Sequence, residues 1–449
     1  MSTTIVSTTT SVELTSPRGV EERRIHPEPS PTNTNADAIM QASLIADSQV
    51  PDGSYGWVAV SACAVLTWWF VGTSYNWGII QAALVKEGVS SASTLSFVGS
   101  LAAACISFLG VLNARLVRLL GTRACAVLGI CFLGTGEILS GFAVHSVGGL
   151  FVTAGAVMGM GISLCFMVVS VIPAQYFKNK RGIANGIVFA GGGLGGAVIS
   201  FIADALVQHT GIAWTFRTLG LITLATGIPA ALFIKERIPI QKSAFVEWPL
   251  FRDARFTLLF FAGALATFPL LVPPFFIPLY TDSLGLKSSV GAAVVATFNF
   301  SSALGRLLCG LCCDKVGPLN TLFISLLLSA VSMLVLWPVS NSIGPLIAFV
   351  IINGMSNGGF FSTMPTVVGE VFGSARVGVA MGMIVTGWMG GYFLGAPIAG
   401  FILDASGGEE SGIKAFRPAI FYAGGMALAA ALLAATMRLK MARSLKKRL

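Results

Sequence analysis

Apolar stretches of about twenty residues alternate with short polar segments along the chain, and the alternation repeats twelve times. The runs lie at about 56–80, 92–114, 122–143, 147–173, 182–208, 213–234, 255–280, 289–312, 318–338, 343–368, 376–402 and 416–438. About 20 apolar residues in a helix reach across the hydrocarbon core of a bilayer. The pattern therefore predicts an all-α membrane protein with twelve transmembrane helices. The longest internal polar segment, about 235–254, holds Lys235, Glu236, Arg237, Lys242, Glu247, Arg252 and Asp253 and divides the runs six and six. The expected layout is a tail over 1–50, a six-helix bundle over 51–234, a central loop over 235–254, a second six-helix bundle over 255–438 and a basic tail over 439–449. Residues 1–50 are rich in Ser, Thr, Pro and Asn and poor in large apolar residues, so they are expected to be disordered. No apolar core follows a basic start, which argues against a cleaved signal peptide.

The two halves repeat. Gly182-Ile-Ala184-Asn-Gly186 recurs as Gly378-Val-Ala380-Met-Gly382, and Gly121 recurs as Gly317, both 196 residues on. Phe201-Ile202-Ala-Asp204-Ala205 recurs as Phe401-Ile402-Leu-Asp404-Ala405, and Phe216-Arg217 as Phe416-Arg417, both 200 residues on. An ordered series with nearly constant offset points to duplication. Two similar six-helix halves with substrate between them is the design of alternating-access carriers.

Composition sharpens this picture. The chain is 55% hydrophobic and 10% charged, against about 25% charged in soluble domains. The net charge of +9 does not mark a nucleic-acid binder, because the basic residues cluster at the ends of the apolar runs. With both termini placed in the cytosol, 23 of the 28 Lys and Arg fall on the cytosolic side, as orientation signals do. The eight cysteines lie in or beside apolar runs without zinc-ligand spacing, so buried thiols are expected, with no metal and no disulfide framework. His26, His145 and His209 are scattered over tail and loops, which speaks against a membrane enzyme. No Walker-type ATP motif is present, so a gradient is the expected energy source and no cofactor is expected. Lys178, Lys180 and Arg181 precede a helix holding Gly182, Gly186, Gly191, Gly192, Gly193, Gly195 and Gly196. Small residues at this density give a membrane helix a flat face for close packing.

Two motifs resemble the monocarboxylate-porter family of the major facilitator superfamily, over about residues 51–440. Asp52-Gly53-Ser54-Tyr55-Gly56-Trp57 resembles its signature before helix 1. Tyr176-Phe177-Lys178-Asn-Lys180-Arg181, followed by Ala184-Asn185-Gly186 and Ala190-Gly191, resembles its loop into helix 5. The short central loop and Ser/Thr-rich tail look most like fungal members. The resemblance implies secondary active transport and, by family default, the plasma membrane. The sequence departs from the animal lactate carriers at two places. Ile79 aligns with their helix-1 lysine, and Ser302 stands where they carry an aspartate four residues before the arginine that matches Arg306. That departure weighs against small-acid/proton symport, while Arg306 keeps an anionic substrate in play. Asp52 suits a helix start, Trp57 suits a bilayer interface, and the basic cluster with Asp314 suits orientation or a latch between halves.

Charges inside membrane helices cost about 2.5–3.5 kcal/mol each on insertion scales, so each needs a reason. Arg306, about seventeen residues into helix 8, either snorkels or pairs with Asp314, or meets a substrate carboxylate. Glu137 in helix 3 is a candidate proton site. Asp204 and Asp404, as repeat mates, are expected to face Arg217 and Arg417 structurally. Asn76, Gln81, Asn185, Asn299, Asn353 and Asn357 could line a cavity or join helices, and Trp388 and Tyr392 could stack on a flat substrate. Pro269, Pro273, Pro274 and Pro278 require a kinked helix 7 with freed carbonyls. The expected function is secondary active transport of a carboxylate or other small organic metabolite, with a small-molecule substrate and the lipid bilayer as partners, possible proton coupling and no nucleic acid. Export of a fungal secondary metabolite is the alternative, and a non-transporting nutrient sensor the third reading.

Overall fold

The computed structural model describes residues 55–177, 180–236, 248–372, 377–408 and 411–441. Asp52 and Gly53 lie outside the described residues, as do the side chains of Arg181 and Asp314. Among the described residues eleven helices are long and apolar enough to cross a membrane, and a twelfth, Ala92–Phe108, is apolar but shorter. In chain order the spans are α1 (Tyr55–Lys86), α2 (Ala92–Phe108, continued by Gly110–Leu120), α3 (Thr122–Ala143), α4 (Val147–Leu150 running on to Met158–Tyr176), α5 (Arg181–Thr210) and α6 (Ile212–Leu232). After the central loop come α7 (Ala254–Ser283), α8 (Ser288–Val316), α9 (Pro318–Val339), α10 (Ile343–Phe372), α11 (Val377–Gly387, continued by Met389–Ala405) and α12 (Arg417–Met441). Among the described residues there is no strand.

The repeat is visible in the turns. Gly121 ends α2 with φ +83° and Gly317 ends α8 with φ +104°, a left-handed conformation open to glycine and strained for other residues. The two repeat-mate helices α1 and α7 are both interrupted, at Asn76 and at Phe268–Leu271. The cause in α7 is proline. Pro274 has no N–H to give the Leu270 carbonyl four residues earlier, and Pro269 sits in the break itself. The freed Leu270 carbonyl instead accepts a hydrogen bond from Asn357 Nδ2 at 3.0 Å. In α1, Asn76 Nδ2 donates to its own helix at the Gly72 carbonyl (2.8 Å) and to the Gly196 carbonyl of α5 (2.8 Å), which ties the interruption to α5. At the start of α7, Asp253 Oδ1 accepts from the Arg255 backbone N–H at 2.9 Å. The hydrogen-bonded Arg255 guanidinium at 2.7 Å holds the Asp253 carboxyl below the usual carboxylate range.

The first six helices pack chiefly among themselves, α1 on α5, α3 on α6, α4 on α3. The last six do the same, α8 on α10, α9 on α10 and α12, α7 on α12. The halves meet along α5–α8, α2–α11 and α1–α7. Glycine makes these seams close. A Cβ at Gly193 of α5 would fall 2.7 Å from the Ala303 nitrogen and the Asn299 oxygen of α8, and one at Gly78 of α1 would fall 2.2 Å from the Pro274 oxygen of α7. Phe97 of α2 stacks edge-on against Phe393 and Phe401 of α11 at 5.7 and 5.9 Å.

The two ends of the molecule differ. At the end bearing the α2–α3, α4–α5 and α8–α9 turns, called here the basic end, Gly182 of α5 lies beside Gly310 of α8. At the opposite, far end, Lys86 pairs with Asp282 at 2.8 Å and Ser288 donates to Asp204 at 2.7 Å, both across the halves. The α5–α8 seam thus has contacts at both ends. The repeat mates Asp204 and Asp404 have diverged in environment. Asp204 is buried and Asp404 exposed, and among the described residues neither is paired with an arginine, contrary to expectation. Arg217 instead donates to the Gly141 carbonyl at 3.1 Å and stacks on Phe142 at 4.1 Å. The α6 residue thus sits beside aromatics and a helix-end carbonyl within the first half, while its Nε has no partner among the described residues.

Two glycines on one stripe of α5 should respond differently to a methyl group. A Cβ at Gly186 would meet the Arg306 oxygen at an ordinary 3.6 Å. Gly186→Ala is therefore expected to keep the thermal midpoint of the purified protein, whereas Gly193→Ala, whose Cβ meets backbone, is expected to cost about 1–3 kcal/mol. Equal midpoints for the two variants would mean that the seam is looser than described.

Candidate functional site

Between the halves, near the interruptions of α1 and α7, lies a small central cavity of about 30 Å³, room for about two waters. Its wall is mainly apolar and nearly half aromatic. Phe70, Phe166 and Phe189 come from the first half, and Phe361 and Tyr392 from the second. Tyr75 closes one side and Arg306 supplies the single charge of the lining. As it stands, this space is too small for an organic molecule.

Arg306 is 1% exposed. Its Nη1 donates to the Phe189 carbonyl of α5 at 2.5 Å, and its guanidinium carbon lies 5.1 Å from the Phe361 ring and 5.9 Å from the Tyr75 ring. Its Nε has no hydrogen-bond partner among the described residues, and no carboxylate pairs with it there. The α8 helix carries the residue into the cavity between the halves rather than toward an end of the bundle. Tyr75 donates to Asn357 Oδ1 at 3.0 Å, and Asn357 in turn donates to the freed Leu270 carbonyl. One hydrogen-bonded chain therefore links α1, α10 and the broken part of α7 beside the cavity.

The residues singled out from the sequence separate by position. Arg306 and Tyr392 line the cavity, and Asn357 stands behind Tyr75. Trp388 is buried one turn from Tyr392, ring centroids 6.2 Å apart, and packs on Phe360 at 5.3 Å without lining the cavity. Asn76 is consumed structurally, since its Oδ1 accepts from Ser200 at 2.6 Å while its amide joins α1 to α5. Gln81 joins α1 to α2 through the Ala92 carbonyl and Ser96, both at 3.4 Å. Asn353 turns to α9, donating to Ser332 at 2.8 Å. Asn299 is fully buried in the α5–α8 seam against Gly196, and neither of its polar atoms has a partner among the described residues. Glu137 is buried within the first half, where its Oε2 accepts from Thr223 at 2.9 Å, beside a void of about 10 Å³ that Asn76 also lines. It does not reach the central cavity.

The motif residues gather at the basic end. Trp57 packs on Phe177 at 4.7 Å, and Tyr55 lies 6.3 Å from Tyr176. Tyr55 donates to the Phe233 carbonyl at 2.7 Å and Tyr176 to the Lys235 carbonyl at 3.0 Å, while the Lys235 ammonium sits over the Tyr55 ring at 4.8 Å. The motif thus clamps the ends of α1, α4 and α6. Gly186 lies in the α5–α8 seam and Lys180 is exposed. The cavity phenylalanines were not singled out in the sequence, because nothing in helical spacing separates them from the other Phe residues.

Two overlapping stretches, residues 58–310 and 259–448, match the model of the Major Facilitator Superfamily. The chain belongs to that superfamily. It is 29% identical over 252 residues to an MFS-type transporter of Gibberella moniliformis, covering 56% of this chain and 61% of the relative. It is 28% identical over 278 residues to the aspyridones efflux protein apdF of Emericella nidulans, covering 62% of this chain and 57% of the relative. It is 26% identical over 399 residues to the probable transporter MCH2 of Saccharomyces cerevisiae, covering 87% of this chain and 84% of the relative. The chain thus spans about three fifths of the length of the first two relatives and most of the third.

A buried amide with no partner stabilises nothing in this arrangement, and an apolar group of the same shape can replace it at little cost. Asn299→Leu is expected to hold or raise the thermal midpoint. A fall of several degrees would reveal a partner for the amide in the closed seam.

Proposed function

We propose that the chain is a secondary active transporter that carries an organic acid with a sizeable apolar body, by alternating exposure of the central cavity at the two ends. The observation that carries this reading is Arg306, buried between the halves, facing an aromatic cavity and unpaired by any carboxylate among the described residues. An ion held out of water without a counter-ion is costly. A substrate carboxylate removes that cost and matches the guanidinium with two parallel hydrogen bonds. The phenylalanine walls suit the apolar remainder of such a molecule. Because Arg306 bonds to the Phe189 carbonyl of the other half, a carboxylate competing for it loosens a contact between the halves. Binding and movement are then linked at one atom group.

Export of a fungal secondary metabolite fits this site better than uptake of a short carboxylate. Apart from Arg306, Ser74 and the two tyrosines the lining is apolar, and one relative is named as an efflux protein for aspyridones. The resemblance to monocarboxylate porters is kept as the finer family reading, supported by the aromatic clamp at the basic end and by the likeness to MCH2. We place the basic end and both termini in the cytosol on the distribution of Lys and Arg, and the protein in the plasma membrane on the resemblance to the monocarboxylate porters. Proton coupling belongs to the same reading.

The test compares metabolites inside and outside host cells with the gene deleted or overexpressed, then measures flux of the responding compound in proteoliposomes. Absence of flux for every responding compound would favour a sensor. Arg306→Ala is expected to insert normally and lower apparent affinity about 10- to 100-fold, the worth of a charged hydrogen bond, with Arg306→Lys retaining part. Unaltered flux in Arg306→Ala would overturn the assignment.

A further inference from the structure

The far end of the molecule holds a second, larger cavity of about 220 Å³. It reaches the surface at Lys86, whose side chain is 57% exposed. Helices α1, α5, α7 and α8 line both this cavity and the central one. On α5 the central cavity touches Phe189 and the far cavity Asp204; on α8 they touch Arg306 and Ala292. The two spaces therefore lie in line along the same four helices. Closely packed backbone separates them. There Gly193 and Gly196 of α5 meet Asn299 and Ala303 of α8, and Gly78 of α1 meets Pro274 of α7. Every one of these contacts crosses from one half to the other.

Asn299 is the unexplained member of this plug. Ala292, Asn299 and Arg306 follow one another at intervals of seven residues on α8, so they share one helix face. Asn299 stands midway, about 10 Å along the helix from each. It is fully buried, and neither its amide oxygen nor its amide nitrogen has a partner among the described residues. The Gly196 carbonyl of the facing helix is already engaged by Asn76 of its own half. An amide shut away in this manner loses its water and gains nothing in return. Ser302, three residues on, is a natural control. Its hydroxyl is likewise buried and unpartnered among the described residues, but it faces Gly358 of α10 in its own half.

We infer that the two cavities are compartments of one passage, and that Asn299, in the plug between them, is a second substrate contact. It takes a neutral carbonyl, hydroxyl or amide lying about 10 Å along the molecule from the carboxylate that meets Arg306. An amide side chain both donates and accepts, so it suits a neutral polar group of either kind. When the seam between α5 and α8 parts, Asn299 and Arg306 come to face the same widened space, because one helix face carries both. The amide then gains the partner that the closed seam denies it. A substrate without the second polar group leaves the amide unpaired and binds less well, which is how a buried polar group selects. This second contact rests on the reading of Arg306 as the carboxylate site.

The experiment has two arms, both on the purified full-length protein in detergent. The first replaces the exposed Cys312 by Ser and compares the rate at which a water-soluble maleimide labels Asn299→Cys and Ser302→Cys above that parent. Both positions are buried in the closed structure, but only the first lies between halves. Asn299→Cys is expected to react at least about tenfold faster, since a seam opens more readily than the interior of one half. Equal rates would overturn the passage. The second arm measures binding of two rigid probes, biphenylcarboxylic acid and its acetyl derivative, with carboxyl and acetyl groups at opposite para ends. The acetyl acid is expected to bind about 3- to 10-fold tighter, the worth of one neutral hydrogen bond. Asn299→Leu is expected to abolish that preference, and Arg306→Ala to weaken both acids alike. The preference is a ratio, so any shift between closed and open forms cancels from it. Binding of both acids without preference, or a preference that survives in Asn299→Leu, would overturn the second contact and leave Arg306 untouched. Binding of neither acid would remove the aromatic-acid chemistry on which both assignments rest.

Discussion

The Leu270 carbonyl is the point on which the middle of the structure turns. Pro274 denies it a helical partner, and inside a bilayer a free carbonyl has no water to fall back on. Asn357 of α10 supplies the hydrogen bond and is itself held by the Tyr75 hydroxyl of α1. One satisfied backbone group therefore ties a broken helix to both halves, and the cavity lies beside that tie. The break in α1 is handled similarly, by Asn76 and the Gly196 carbonyl. Repeat-mate helices are interrupted at matching depths, and each interruption is satisfied by an asparagine.

Around these breaks the protein is closed by shape more than by charge. Glycines on α5 and α1 let backbones approach α8 and α7 to distances that any side chain would forbid. Such packing is strong while the surfaces match and lost when they slide, which suits two halves that rock. Polar groups then sit at selected points of the seam: Arg306 near the middle, Asp204 at the far end. Both are buried on one half and bonded to the other. A ligand that competes for either group changes a contact between halves directly, without a relay through the bundle.

The motif residues occupy a different place. Tyr55, Trp57, Tyr176 and Phe177 bind the ends of α1, α4 and α6 together at the basic end, remote from the cavity.

Hydrophobic run length, the density of glycine and the position of Lys and Arg were legible in the chain because each acts locally: a helix must reach across the bilayer, and a proline must break the helix that contains it. The number of spans, the duplicated halves and the kink in helix 7 follow from such local constraints. Arg306 stood out because a charge in an apolar run is conspicuous by itself. Which polar residues face a common space did not follow, since Asn76, Gln81, Asn299 and Asn357 look alike in sequence and differ only in what lies opposite. The same holds for Asp204 and Asp404, identical in motif and opposite in burial. Those assignments depend on the rotation of each helix about its axis and on the partner across the seam, and only the packing of twelve helices settles them.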